Sequence, residues 1–359
     1  MVSTTAAVIA AGSQGRVHAL GYRSVPGVTL AAVADPVREA AAALASELDV
    51  PRIYDDALTL LEAERPELLS ICTPPASHLA IVEAAIANGV RAIHCEKPIA
   101  LSYADALEMH DRCTRAGVQL TFNLQRRFEP VHRFAKEQLD AGAIGDIVSI
   151  EGYCPNLPDW GTHILDLILF YLGDAPPAWV MAQVDVTVNR FVYGAFAETS
   201  SLTQVKWESG VQAIVATGRE PQTPVLNLEN ELGLIVQGTR GRLVSRGESC
   251  RVDRFADTGI VFDTPFETDF TTWDRGVDPA IVACTAAAIA DLVESLEQGT
   301  EPALSSRRGL AGAELIFASY ESSRSRSRVH LPLTATDNAL LDGLERGFWQ
   351  PVGEQRATY

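Results

Sequence analysis

From residue 6 to residue 122 the chain alternates between two periods, and this alternation limits the possible folds more than any other feature. Apolar runs at 6–10, 28–34, 68–72, 91–95 and 119–122 are separated by helical patterns near 16–23, 37–48, 57–64, 78–88 and 103–116. Strands without polar alternation need cover on both faces, and helices between successive strands provide it. The pattern therefore predicts βαβ units and a doubly wound parallel sheet. After residue 122 the texture changes. Helices are expected near 129–141 and 163–172, followed by short strand-like runs between 179 and 255 with turn residues between them. Such runs predict an open, largely antiparallel sheet, with helices returning near 279–297 and 306–319. The fold class is α/β first and α+β second, divided into residues 1–123 and 124–359. A length of 359 residues suits two domains of ordinary size.

Charge narrows the partners. Forty-six acidic residues against 29 basic ones give a net charge of −17, which argues against nucleic acid or an anionic membrane surface as a partner. The N-terminal segment lacks the basic start of a secretory leader. The apolar run 164–172 is half the length of a membrane span and contains Asp166. Six cysteines without Cys-x-x-Cys spacing are expected to be reduced thiols packed as small hydrophobes, in a cytoplasmic protein. The Arg-Ser alternation at 322–328 is expected to be a solvated turn. Only Lys97, Lys136 and Lys206 among the 29 basic residues are lysines, so each raises the question of why arginine does not stand there.

The first strand runs into Ala10-Ala11-Gly12-Ser13-Gln14-Gly15. This is the dinucleotide fingerprint G-x-G-x-x-G with its first glycine replaced by Ala10. Gly12 allows a pyrophosphate to approach the backbone, Gly15 allows close helix–strand packing, and the N–H groups of the following helix face the phosphates. Ala10 is tolerable there only if its φ stays negative. Asp35 ends the second strand 20 residues past Gly15, where a carboxylate accepts ribose hydroxyls and repels a 2′-phosphate. NAD is therefore favoured over NADP. Arg38 nearby keeps NADP open, and Asp35 followed by Pro36 also reads as a plain strand-end turn.

Two further segments follow strand ends: Thr73-Pro74-Pro75-Ala76-Ser77-His78 and Glu96-Lys97-Pro98. With the glycine loop, they make the chain resemble the Gfo/Idh/MocA oxidoreductases, the family of glucose–fructose oxidoreductase and inositol dehydrogenase. Gly15-x-x-His18-Ala19, Arg126-Arg127-Phe128-x-Pro130, the segment 159–166 and the tail 320–333, similar to the family's last strand, extend the resemblance over nearly the whole chain. It implies an N-terminal Rossmann domain and a C-terminal α/β domain used for substrate binding and oligomerisation. It also implies cofactor contacts from Gly12, Ser13, Gln14, Gly15, Asp35, Thr73, Pro74, His78, Glu96 and Lys97. Pro75 departs from the family, which often has Asn there, as does Ala10 in the glycine loop.

A lysine at the carboxyl end of a parallel strand lies where such sheets bind ligands, and its ammonium favours alkoxide character in a substrate hydroxyl. Asp159-Trp160-Gly161-Thr162-His163-Ile164-Leu165-Asp166 resembles the family's D-x-G-x-H-x-x-D segment. If Asp159 starts a helix, it shares a face with His163, four residues on. A neutral imidazole is the natural proton acceptor when an alcohol is oxidised near neutral pH. Asp159 then fixes its tautomer or holds a substrate hydroxyl, and Asp166 supports it. The same residues also read as a metal site or a structural histidine; no metal is the expectation adopted. Glu96 positions the cofactor or Lys97 by resemblance, and Arg127 is a candidate for substrate hydroxyls or a domain-interface arginine. For His18 and His78, packing and helix capping compete with cofactor contact.

Catalytic roles are thus expected for Lys97, His163 and Asp159, and substrate contacts for these three and Arg127. The reaction expected is NAD-dependent oxidation of a sugar or cyclic polyol hydroxyl, or of a hemiacetal. A redox-neutral sugar-transforming enzyme, glycosidase- or epimerase-like, that retains its cofactor is the alternative. A catalytically silent NAD-sensing regulator is the alternative from another class. A homodimer or homotetramer is expected, since an open sheet with one bare face needs a partner.

Overall fold

The computed structural model describes residues 4–218, 233–255, 260–263 and 278–352, and the backbone of 354–356. Contacts between Cα atoms divide the chain into two compact units. The first comprises Met1–Ala100, Asp105–Phe128 and Glu267–Gly309, and the second comprises Leu101–Ala104, Glu129–Phe266 and Leu310–Tyr359.

The first unit contains the predicted βαβ series. Its elements are β1 (Thr4–Ile9), α1 (Ser13–Ser24), β2 (Val28–Ala34), α2 (Arg38–Leu48), β3 (Arg52–Tyr54), α3 (Ala57–Glu64), β4 (Leu68–Ile71), α4 (His78–Ala87), β5 (Ala92–Cys95), α5 (Tyr103–Ala116) and β6 (Gln119–Phe122). The six strands form one parallel sheet in the order β3-β2-β1-β4-β5-β6. The chain winds one way from β1 and the other way from β4. The switch point between them is where doubly wound sheets bind ligands, at the carboxyl ends of the strands. β4 and β5 are buried at every residue, which explains their mainly apolar character, with Ser70 and His94 as buried polar exceptions.

A single break after residue 123 does not describe this unit, because α8 (Pro279–Gln298) packs with it. Ile289, Leu292 and Val293 of α8 join Ala19 and Tyr22 of α1, Val33 of β2 and Leu44 of α2 in one core cluster. Gly21 makes the approach possible: a Cβ there would lie 2.6 Å from Ile289 Cδ1. At 20 residues, α8 is long and apolar enough to cross a membrane, but its apolar stripe is spent on this core.

The second unit contains α6 (Pro130–Asp140), β7 (Ile147–Cys154), α7 (Thr162–Tyr171), β8 (Trp179–Asp185), β9 (Asn189–Val192), β10 (Ala195–Ala197), β11 (Ser200–Lys206), β12 (Gln212–Thr217), β13 (Gly233–Gly238), β14 (Gly241–Arg246), β15 (Ser249–Arg254) and β16 (Ile260–Asp263). Beyond these come α9 (Ser306–Ser325), β17 (Val329–His330), α10 (Ala339–Glu345) and β18 (Glu354–Arg356). Nine strands form a sheet in the order β16-β15-β14-β13-β7-β12-β11-β8-β17, antiparallel except for the β7–β12 pair. β10, β9 and β18 form a small second sheet. Helix α7 lies close on β7 because of Gly152, where a Cβ would meet Ile164 Cγ2 at 2.6 Å. On β8, β11 and β12 the side chains of Met181, Leu202 and Ile214 stay exposed.

Two expectations for the tail are corrected. Residues 322–325 are the last turn of α9 rather than part of the expected solvated turn, whereas 326–328 are exposed and non-helical as expected. Ser322 is buried and accepts the Ala182 N–H, and Arg324 bridges Glu321, Asp337 and Asp342. The strand that follows is only Val329–His330.

Candidate functional site

The glycine loop is built as the fingerprint requires, with one difference. Ala10 has φ +76°, so the expectation of a negative φ fails. Its N–H is bonded to Ala34 O at 2.7 Å, and its carbonyl lies so near Gly15 that a Cβ there would sit 1.9 Å from it. Tertiary contacts on both sides thus hold an alanine in a conformation that suits glycine. Gly12 occupies the N-cap of α1, and a Cβ on it would meet nothing within 4 Å. Among the described residues no side chain caps this helix end, leaving its first amides for an anion. Ser13 and Gln14 form the first turn beside it.

Asp35 fastens the loop to the end of β2. Its Oδ2 accepts the Ala11 N–H at 2.7 Å and its Oδ1 accepts the Val37 N–H at 2.8 Å. Each oxygen retains acceptor capacity for a ribose hydroxyl. Arg38, the candidate for a 2′-phosphate, is paired with Asp55 at 2.7 Å. The donor set fits a dinucleotide with a free ribose 2′-hydroxyl.

Strand ends β4, β5 and β6 carry the next group. Thr73 and Pro74 form the turn after β4, where Ser77 Oγ donates to Thr73 Oγ1 at 2.7 Å. His78 is fully buried, with Nδ1 2.9 Å from Ile99 O and Nε2 2.7 Å from Thr73 O. Burial lowers its pKa, against the pull of the two carbonyls. With both ring nitrogens engaged by backbone, His78 braces the loops on either side instead of reaching out to a cofactor.

Glu96 sits at the centre of a buried polar network that the motifs do not reveal. Parallel register pairs Ser70 with His94 and His94 with Thr121, and Glu96 and Asn123 each stand one residue past the last registered pair of β5 and β6, Cys95 with Phe122. His18 of α1 completes the set: its Nε2 is 3.0 Å from Glu96 Oε1 and its Nδ1 2.9 Å from Ser70 Oγ. Asn123 Nδ2 donates to Glu96 Oε1 at 2.7 Å, and the Asn123 carbonyl faces His94 Nε2 at 3.3 Å. The other Glu96 oxygen accepts the backbone N–H of Lys97 at 3.0 Å. Burial works to raise the Glu96 pKa, but the hydrogen bond and charge of His18, the charge of Lys97 and the Asn123 amide hold it at about 2. Burial pushes His94 down to about 3, so it stays neutral. Lys97 itself is half-buried, and its bond to Pro98 is cis.

Arg127 lies in a short turn after β6 and is 5% exposed. Asn123, Ser70 and His94 were missed by sequence reading. Their signal is positional: Ser70 and His94 stand at one level of adjacent parallel strands, and Asn123 stands two residues past that level, just beyond β6.

In the second unit Asp159 does not start an α-helix. It lies in a π-helical turn, Leu157–Gly161, ahead of α7, because the Gly161 N–H reaches back five residues to Asn156 O at 2.8 Å. Asn156 Oδ1 accepts the Asp159 N–H at 2.9 Å, and Thr162 Oγ1 donates to Asp159 O at 2.5 Å. Asp159, His163 and Asp166 are 3%, 4% and 1% exposed, so the segment is buried as a block. Among the described residues no three His, Cys, Asp or Glu side chains converge as metal ligands.

Comparison with known proteins agrees with this geometry. The family model described as "Oxidoreductase family, NAD-binding Rossmann fold" matches residues 4–124. D-apiose dehydrogenase of Paraburkholderia graminis is 30% identical over 352 residues, covering 90% of this chain and 89% of the relative. Inositol 2-dehydrogenase of Rhizobium meliloti is 25% identical over 339 residues, covering 90% and 98%. A crystal structure of an oxidoreductase from Agrobacterium radiobacter in complex with NAD+, L-tartaric acid and magnesium shares the fold, with TM-score 0.79, 22% identity, and coverage of 91% and 98%. The fold and the loop define an NAD-binding oxidoreductase with a Rossmann first unit. The chain belongs to the Gfo/Idh/MocA family.

Proposed function

We propose that the protein is an NAD-dependent dehydrogenase acting on a secondary hydroxyl, or a hemiacetal, of a sugar or cyclic polyol. The observation that carries the reading is the setting of Lys97: an ammonium at the end of β5, its backbone held by a buried carboxylate kept ionised, on a Rossmann unit whose loop fits NAD. Relatives named for D-apiose and inositol support the substrate class.

Gly12, Ser13, Gln14 and Gly15 would hold the pyrophosphate and Asp35 the adenosine ribose, with Thr73 and Pro74 on the loop nearer the nicotinamide. The nicotinamide, when bound, supplies the acceptor for the two electrons and the carbon-bound hydrogen. Lys97 donates a hydrogen bond to the reacting oxygen and lowers the cost of its alkoxide character. His163 accepts the hydroxyl proton, with Asp159 orienting it and Arg127 holding a neighbouring hydroxyl. The exposed Met181, Leu202 and Ile214 support a homodimer or homotetramer formed through this face; sedimentation at micromolar concentration as a monomer would contradict it.

The test is NADH formation from NAD+ with a panel of pentoses, pyranoses, inositols and sugar alcohols. NADH from at least one of them supports the reading. Conversion of a sugar with no net NADH, on cofactor that co-purifies, would replace it with the redox-neutral reaction. Tight NAD binding without any conversion would leave the regulatory role.

A further inference from the structure

The π-helical turn that carries Asp159 has its first amide donor satisfied from a distant part of the chain. Leu157 is fully buried, and its N–H donates to Glu198 Oε1 at 2.7 Å, from a residue 41 positions later. Glu198 follows β10, which packs beside the turn, and is itself 0% exposed. Two hydroxyls complete its set: Thr217 Oγ1, at the end of β12, donates to the same Oε1 at 2.9 Å, and Tyr320 OH of α9 donates to Oε2 at 2.9 Å. One carboxyl group thus joins the turn to β10, β12 and α9. The turn's own side-chain cap, Asn156, serves the Asp159 amide and not that of Leu157.

We propose that Glu198 and Tyr320 are positioning residues for Asp159, forming a remote cap that fixes the turn from which Asp159 and His163 are presented. The proposal rests on the reading of this segment as part of the reaction site. Its logic is geometric. A buried helical N-terminus needs an acceptor, and no residue of the turn itself serves Leu157. A glutamine keeps an oxygen for Leu157 and Thr217 and turns an amide toward Tyr320, whose hydroxyl then accepts. The neutral isostere therefore preserves the cap, whereas alanine removes it.

Three full-length variants test this: Glu198→Ala, Glu198→Gln and Tyr320→Phe. Hydrogen exchange at residues 157–163 is measured alongside kcat, KM and the NAD dissociation constant. Glu198→Ala is expected to speed exchange in the turn at least about tenfold and to lower kcat by a similar factor, leaving NAD binding within about twofold. Glu198→Gln restores both readouts to within about threefold of wild type, and Tyr320→Phe falls between. Unchanged exchange in Glu198→Ala overturns the cap. Faster exchange with unchanged kcat overturns the positioning role, and Glu198→Gln as impaired as alanine overturns the geometric logic. If Glu198→Ala does not fold, Glu198→Gln and Tyr320→Phe decide by the same criteria. A wild-type protein that converts no substrate defeats the proposed function, while the exchange measurement still decides the cap.

Discussion

Among the described residues each unit buries one glutamate deeply, Glu96 and Glu198, and the two carboxyls respond in opposite directions. Glu96 is drawn down to about 2 although burial alone would raise it, because His18 and Asn123 bring hydrogen bonds and Lys97 a positive charge. Glu198 is raised: burial dominates, and its partners Leu157, Thr217 and Tyr320 are neutral donors that recover only part of the lost hydration. Both carboxyls accept several hydrogen bonds, and the charge of Lys97 beside Glu96 has no counterpart among the partners of Glu198. The pH dependence follows. The contribution of Glu96 is complete above its ordinary value of 4.5 and is lost as pH falls toward about 2. The contribution of Glu198 has the reverse sign, since its native form binds the proton more tightly than the unfolded chain. Stability from this group is fullest below 4.5 and declines as pH rises through its raised value.

The contrast can be broken by removing one charge at a time. Glu96→Gln should cost the most, about 3 kcal/mol near neutral pH, because it strips a buried ionic network of its anion. Thermal melts of the variant against wild type check this, and an unchanged midpoint would refute the ion-pair reading. A cycle combining Glu96→Gln with His18→Gln should show a coupling of about 2 kcal/mol, measured by denaturant unfolding at both single and double variants. Ala10→Gly should stabilise by about 1 kcal/mol, the reverse of the usual alanine-to-glycine effect, because it releases a positive φ. Glu198→Gln should change stability least near neutral pH, and it should remove part of the decline of stability with rising pH. A loss as large as that of Glu96→Gln would erase the distinction between the two sites.

What the sequence showed of this molecule and what it hid follow from the range of the interactions. The strands and helices of the first unit were legible because local periodicity sets them; β3 escaped because Arg52–Tyr54 is three residues long, with no buried position, at the sheet edge. The allegiance of α8 was hidden, since the segment Glu267–Gly309 that carries it is inserted between two stretches of the other unit, and its packing shows only through distant partners such as Gly21. Motifs pointed to Asp35, Glu96 and Lys97, but not to the bond from His18 to Glu96, which spans 78 positions. They gave the wrong sign of φ for Ala10, because contacts with Ala34 and Gly15 set that angle rather than the alanine. Glu198 belongs to no motif, and its role exists only where β10, β12 and α9 meet the turn.

The most direct test is NADH formation by wild type, Lys97→Ala and His163→Ala on the best substrate, with NAD affinity measured in parallel by fluorescence. If Lys97 and His163 handle the substrate proton, each variant loses about a hundredfold or more in turnover and binds NAD as wild type does. Turnover that survives in both variants would contradict it.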